Sequence, residues 1–168
     1  MAKLDITFQG NPLTLEGTLL EVGQKAPAFS LVKNDLTAIT LDELKGKNIL
    51  ISSIVSIDTP VCDIQTKRFN GEASKLENTV LLTVSTDLPF ALARYCADKG
   101  ITSAVTASDY STRKFSKDYG LFIKELSLST RAIIIIDKNG YIAYTEYLKE
   151  ITDEPNYEAA LKALDNIK

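Results

Sequence analysis

Unbroken apolar runs of strand length, separated by amphipathic stretches, dominate the chain. NILISSIV (48–55), TVLLTVS (79–85) and TRAIIIID (130–137) are rich in β-branched residues and predict strands buried on both faces. Between the first two runs, Val61, Ile64, Phe69, Ala73 and Leu76 recur near helical spacing, with Lys67, Arg68 and Glu72 between them. That spacing predicts a helix from Pro60 to about Leu76. Residues 89–99, stopped by Gly100, predict a second helix, SAVTAS (103–108) a shorter strand, and 111–118 a third helix. A Lys138-Asn139-Gly140 turn predicts a hairpin into YIAYTEYL (141–148), and a last helix covers about 156–167.

Before the first long run, Ile6 and Phe8, then Leu13 and Leu15, alternate with polar residues around a Gly10-Asn11-Pro12 breaker, which predicts an N-terminal β-hairpin. The next segment is punctuated by Pro and Gly. It predicts an extended piece near 29–33 and a helical turn at 41–44, capped by Thr40 and closed by Gly46. Strand-helix repeats followed by a hairpin and a helix describe a mixed central sheet flanked by helices. This order suits an α/β thioredoxin-like fold with an added N-terminal β-hairpin. A flavodoxin-like doubly wound sheet is the alternative, but it calls for a Gly-rich phosphate turn, and neither G-x-G-x-x-G nor G-x-x-x-x-G-K occurs.

Composition narrows the chemistry. With 168 residues, 45% hydrophobic and 24% charged, and no repeat or linker, residues 1–168 read as a single domain with a real core. The net charge of −3 without a block of like charges gives no footprint for nucleic acid or an anionic membrane surface. A small, neutral or weakly charged substrate fits better. Neither a signal-peptide core nor an apolar stretch of the ~18 to 20 residues needed to span a bilayer is present, so a cytoplasmic protein is expected. The chain contains no histidine, which excludes Ser-His-Asp and Cys-His hydrolases, an imidazole base and His-ligated zinc. Its two cysteines are too few for a disulfide scaffold or a four-thiolate zinc site. In a reducing compartment such a pair is catalytic, redox-active or metal-binding when it matters at all.

One cysteine lies in DTPVC (58–62), directly after the first long strand. With Thr59 as N-cap and Pro60 as first helical residue, Cys62 falls in the first turn, near unpaired backbone N–H groups and the positive end of the macrodipole. Both favour a thiolate, so a nucleophilic cysteine is available without histidine. The competing reading makes Cys62 a buried small hydrophobe and Thr59 a simple cap. Cys96 lies on a helix whose Phe90, Ala93 and Ala97 can form one apolar face, and both packing and reactive readings stay open there. Arg131, at a strand start, is by default solvated or ion-paired.

Longer segments carry a resemblance. SIDTPVCDIQTKRFN (56–70) resembles the peroxidatic-cysteine segment of the thiol peroxidase branch of the peroxiredoxins, and STDLPFALARYC (85–96) its resolving-cysteine segment. TRAIIIID resembles the strand bearing that branch's active-site arginine, and ITDEPNYEAAL (151–161) the start of its C-terminal helix. The segments follow in the right order over essentially the whole chain. One departure is plain: in the family pattern P-x-x-x-T-x-x-C, the proline position is Val55.

The resemblance implies that Cys62 is the peroxidatic thiolate and Cys96 the resolving thiol. It implies that Thr59 hydrogen-bonds the sulfur and the peroxide, and that Arg131 stabilises the thiolate and orients the substrate. It further implies reduction of hydrogen peroxide and alkyl hydroperoxides through a Cys62 sulfenic acid and a Cys62–Cys96 disulfide. Thioredoxin would be the reductant, the assembly a homodimer, and no metal or other cofactor would be needed. For the dimer, Tyr110, Phe115, Tyr119 and Leu121 suit an apolar contact as well as core packing. Because a disulfide needs Cα atoms within about 7 Å, two cysteines on separate helices are expected to meet only after local unwinding. Rival functions remain a thioredoxin-like disulfide exchanger or redox sensor, which would favour a C-x-x-C motif, and a binding module indifferent to Cys62→Ser.

Overall fold

The computed structural model describes residues 4–167. The chain opens with β1 (Ile6–Phe8) and β2 (Asn11–Leu13), then β3 (Leu15–Glu16), β4 (Ser30–Lys33) and β5 (Ala38–Thr40). A short 3-10 turn, Asp42–Leu44, precedes β6 (Asn48–Ser53), α1 (Pro60–Ala73), β7 (Thr79–Ser85), α2 (Pro89–Lys99) and β8 (Val105–Ser108). The remaining elements are α3 (Lys114–Asp118), β9 (Phe122–Ile123), β10 (Leu128–Ser129), β11 (Ala132–Ile136), β12 (Ile142–Tyr147) and α4 (Tyr157–Asn166).

The expected mixed sheet forms in the order β12-β11-β6-β7-β8-β4-β5. β6, β7 and β8 run parallel, while β11 is antiparallel to both β6 and β12, and β4 to both β8 and β5. The uninterrupted apolar runs are explained by burial on both faces, and the two-residue alternation of a strand sorts their side chains. Ile49, Ile51, Ile134 and Ile136 pack with Phe29, Phe115 and Tyr119 on one face. Leu50, Ile133 and Ile135 pack with Phe69 of α1 and Ala160 and Leu164 of α4 on the other.

Several boundaries differ from the sequence expectation. The hairpin turn is Gln9-Gly10 rather than Gly10-Asn11-Pro12, since Phe8 pairs with Asn11 and Thr7 with Pro12. Both turn residues have positive φ, 50° and 81°, which matches the twist of a two-residue hairpin and favours glycine at the second position. Pro12 is tolerated inside β2 because the strand lies at an edge, where its missing N–H is not needed. The third helix begins at Lys114, not Ser111. Asp109 accepts hydrogen bonds from the Ser116 N–H and hydroxyl, and Arg113 takes a left-handed φ of 58° just before the helix. A small sheet of β10, β9 and β3 was not foreseen, because two-residue strands carry no readable alternation. Of the residues considered for an apolar contact, Phe115, Tyr119 and Leu121 are core, whereas Tyr110 is exposed.

Candidate active site

β6 delivers the chain to the carboxyl end of the parallel strands, where open α/β sheets form their sites. There the connection to α1 is pinned by Asp87, just beyond β7. Its carboxylate accepts from the Ser56 hydroxyl at 2.8 Å, the Ile57 N–H at 3.0 Å and the Ser85 hydroxyl at 2.7 Å. Thr59 then caps α1 and Pro60 takes the first helical position, so Cys62 occupies the first turn as expected. The Cys62 N–H donates to Thr59 Oγ1 at 3.4 Å, and the Thr59 hydroxyl donates in turn to the Ser56 carbonyl at 3.0 Å. Thr59 therefore holds the backbone at the helix start, and its hydroxyl would have to turn to donate to sulfur or substrate. The Cys62 side chain is fully buried in an apolar cluster with Ile54, Val55, Ile57, Leu92 and Tyr95.

Arg131 immediately precedes β11 and is almost completely buried, at 1% exposure. Its Nε donates to the Ile151 carbonyl at 2.9 Å and its Nη1 to Gln65 Oε1 at 2.7 Å. Gln65 lies one helical turn beyond Cys62 and donates through Nε2 to Ser52 Oγ at 2.7 Å and to the Ser53 carbonyl at 3.4 Å. Among the described residues no ion pair includes Arg131. A buried cation held only by neutral acceptors is strongly biased toward an incoming negative charge.

Thr59 and Arg131 share a cavity of about 160 Å³ with Pro60 and Val61 from the first turn of α1. Val55 forms part of its wall, alongside Phe8, Gln9, Ile151 and Thr152. The N-terminal hairpin thus covers the same site. Glu150 fastens it: its carboxylate accepts from the Thr7 and Thr152 hydroxyls and from the Gln9 and Gly10 N–H groups. The Thr7 and Thr152 hydrogen bonds chiefly hold the Glu150 carboxyl at about 2, well below the usual carboxylate range.

Cys96 lies elsewhere. It is half-buried and borders a separate hollow of about 240 Å³ with Asn34, Ala104 and Thr106. Asn34 Nδ2 donates to its sulfur at 3.6 Å, and Thr106 Oγ1 is 3.4 Å from it. Both cysteines are free thiols, and Cys96 packs at the margin of the cluster that buries Cys62. A direct tie joins their helices: the Tyr95 hydroxyl donates to Asp63 Oδ1 at 2.6 Å, and Lys67 pairs with Asp63 Oδ2 at 3.0 Å. Burial opposes ionisation of Asp63, but the hydrogen bonds from Tyr95 and Lys67 outweigh it and hold the carboxyl below its ordinary value. Burial first, then the Asp63 carboxylate, pushes the Tyr95 phenol up.

The structure therefore brings Thr59 and Arg131 to one cavity with Pro60 and Val61; Cys62, the next residue, is buried and does not line it, and Cys96 lies elsewhere. Sequence reading missed Gln65, Asp87 and Glu150. Only Gln65 left a trace, as a polar residue three positions after Cys62 on the same helical face. The other two act through contacts distant in sequence or through loop backbone, which no local pattern announces.

A cysteine in the first turn of a helix whose threonine cap shares a cavity with a buried arginine, on a sheet of this topology, points to the redoxin class. Accordingly, the Redoxin family model matches residues 21–161. The thiol peroxidase of Halalkalibacterium halodurans is 51% identical over 158 residues, covering 94% of this chain and 95% of its own. The thiol peroxidase of Listeria innocua is 49% identical over 158 residues, covering 94% and 96%. A peroxiredoxin-like protein from Aquifex aeolicus superposes with a TM-score of 0.93 at 37% identity, covering 100% of this chain and 99% of its own. The chain belongs to the thiol peroxidase family, within the peroxiredoxins, and has their thioredoxin-like fold.

Proposed function

We propose that this thiol-dependent peroxidase reduces hydrogen peroxide and alkyl hydroperoxides with Cys62 as nucleophile, Cys96 as resolving thiol, and Thr59 and Arg131 as substrate-orienting groups. One observation carries the assignment: a cysteine in the first turn of α1, whose cap shares its cavity with a buried arginine that has no carboxylate partner among the described residues. The Cys62 thiolate attacks one peroxide oxygen, the O–O bond breaks, and its electron pair leaves on the other oxygen. That oxygen takes a proton to give water or an alcohol, and Cys62 becomes a sulfenic acid. Arg131, the helix dipole and a turned Thr59 hydroxyl supply positive charge and donors along that line.

In the second step the Cys96 thiol attacks the sulfenic sulfur, water leaves, and a Cys62–Cys96 disulfide forms. Full burial of Cys62 and the separate hollow of Cys96 support local unwinding before this step. A dithiol protein of the thioredoxin type then reduces the disulfide by exchange. Residues 1–168 act as a single domain in a homodimer, supported by the exposed Leu88, Phe90 and Tyr110. Two free thiols fit a reducing cytoplasm, and no helix among the described residues is long and apolar enough to cross a membrane.

The test is one equivalent of alkyl hydroperoxide added to reduced protein, followed by intact mass and a peptide map. Loss of two hydrogens with a Cys62–Cys96 crosslink is expected, with no turnover by Cys62→Ser. An unmodified Cys62, or full turnover by Cys62→Ser, would overturn the assignment.

A further inference from the structure

We propose that Glu150 is a positioning residue for substrate specificity: it clamps the N-terminal hairpin over the active-site cavity, making the hairpin a wall for the organic end of a hydroperoxide. The inference rests on the peroxidase reading above and concerns which peroxide the site prefers.

A hairpin of two three-residue strands is marginal on its own and needs an external anchor. Here the anchor is the segment leaving β12. Thr7 donates its N–H to the Lys149 carbonyl at 2.7 Å, and the Ile151 N–H donates to the Thr7 carbonyl at 3.0 Å. Between those two bonds, Glu150 reaches the tip. Oε1 accepts from the Gln9 N–H at 2.8 Å, while Oε2 accepts from the Gly10 N–H at 3.1 Å and from the Thr7 hydroxyl. The positive φ of Gln9 and Gly10 places successive N–H groups around one anion, an arrangement that holds a carboxylate well. Oε1 also accepts from the Thr152 hydroxyl at 2.7 Å, so one side chain binds both the hairpin tip and the facing wall.

The cavity these walls enclose has a mixed lining. Arg131, Thr59, Gln9 and Thr152 are its polar residues, whereas Phe8, Val55 and Ile151 offer apolar surface. A hydrocarbon substituent has something to bury against there, and hydrogen peroxide has no such substituent. Loosening the hairpin therefore penalises the alkyl substrate selectively, on the scale of lost apolar contact in a specificity pocket, about tenfold.

The experiment compares kcat and KM for cumene hydroperoxide and hydrogen peroxide, with dithiothreitol as reductant, in wild type, Glu150→Ala, Glu150→Gln and Phe8→Ala. Glu150→Ala and Phe8→Ala are expected to lower the ratio of kcat/KM for cumene hydroperoxide to that for hydrogen peroxide by about tenfold, through KM. Glu150→Gln keeps one acceptor but turns an amide N–H toward Gly10, so a drop of about threefold is expected; it decides the matter should Glu150→Ala not fold. An unchanged ratio in folded Glu150 variants, or equal losses for both substrates, would overturn the clamp and leave the peroxidase reading standing. A wild type that turns over neither peroxide would overturn the reading itself and the clamp with it.

Discussion

Cys62 and Cys96 touch the same hydrophobic cluster but are held by different kinds of force. Cys62 is placed by backbone: a cap, a proline and a helix start fix its Cα, and its buried side chain packs among apolar neighbours. Cys96, in the last turns of α2, is placed by side chains that meet its sulfur: Asn34 from the turn after β4 and Thr106 from β8. The Thr106 hydroxyl donates to Asn34 Oδ1 at 2.7 Å, so its oxygen remains free to accept from the Cys96 thiol. Cys62, the proposed nucleophile, thus sits where positive potential accumulates, and Cys96, the proposed resolving thiol, sits in a neutral network that occupies its hydrogen. The difference suits thiols acting in sequence, one reactive at rest and one waiting.

If positive potential distinguishes the two sites, removing it should act on one cysteine alone. Arg131→Met is expected to slow oxidation of Cys62 by about a hundredfold, the scale of losing a preorganised donor, while alkylation of Cys96 keeps its rate. Stopped-flow peroxide decay and iodoacetamide mapping read the two separately, and equal losses at both cysteines would erase the distinction. Tyr95→Phe should act next most strongly, because it cuts the hydrogen bond between the two helices while keeping the packed ring. Disulfide formation after a peroxide pulse is expected to quicken about fivefold, with less sulfinic acid at Cys62 under excess peroxide.

This tie also has a pH signature. Asp63 titrates lower when folded than its ordinary 3.8, so the tie is intact above about pH 4 and weakens as pH falls through the lowered value. The kinetic gap between Tyr95→Phe and wild type should therefore be flat from pH 5 to 8, and a gap that changes across that window would assign the tie to another group. The smallest effect belongs to Thr106→Val, which frees the Cys96 sulfur. Its alkylation should speed up by about twofold to threefold, as expected for one weak sulfur contact. A slower reaction would mean that the hydroxyl activates the thiol instead of restraining it.

The long elements were legible because their signals are local. Ile49 to Ile51 and Ile133 to Ile136 announce doubly buried strands by composition alone, and Thr59-Pro60 announces the start of α1. The hairpin was legible as a hairpin, but its register was not, since Gln9 gives no hint of a positive φ. The positions of Cys62, Thr59 and Arg131 could be read from spacing and resemblance. Their supports could not. Gln65, Asp87, Glu150, Asn34 and Thr106 are ordinary polar residues until folding brings each to its partner, and tertiary proximity leaves no periodicity to detect.

The Asp87 and Gln65 contacts also set a leash. Upstream of the Cys62 turn, Ser56 and Ile57 are tied to Asp87; downstream, Gln65 is tied to β6 and to Arg131. Only residues 58–64 lie between the knots. Fully extended, the links from Cys62 to Gln65 span about 10 Å, which bounds how far the Cys62 Cα can lie from Gln65 while the downstream knot holds. A short segment with both ends fastened also has little conformational space to search when it winds up again. In the proposed cycle, each turnover can then return the sulfur to the same spot without the rest of the sheet taking part.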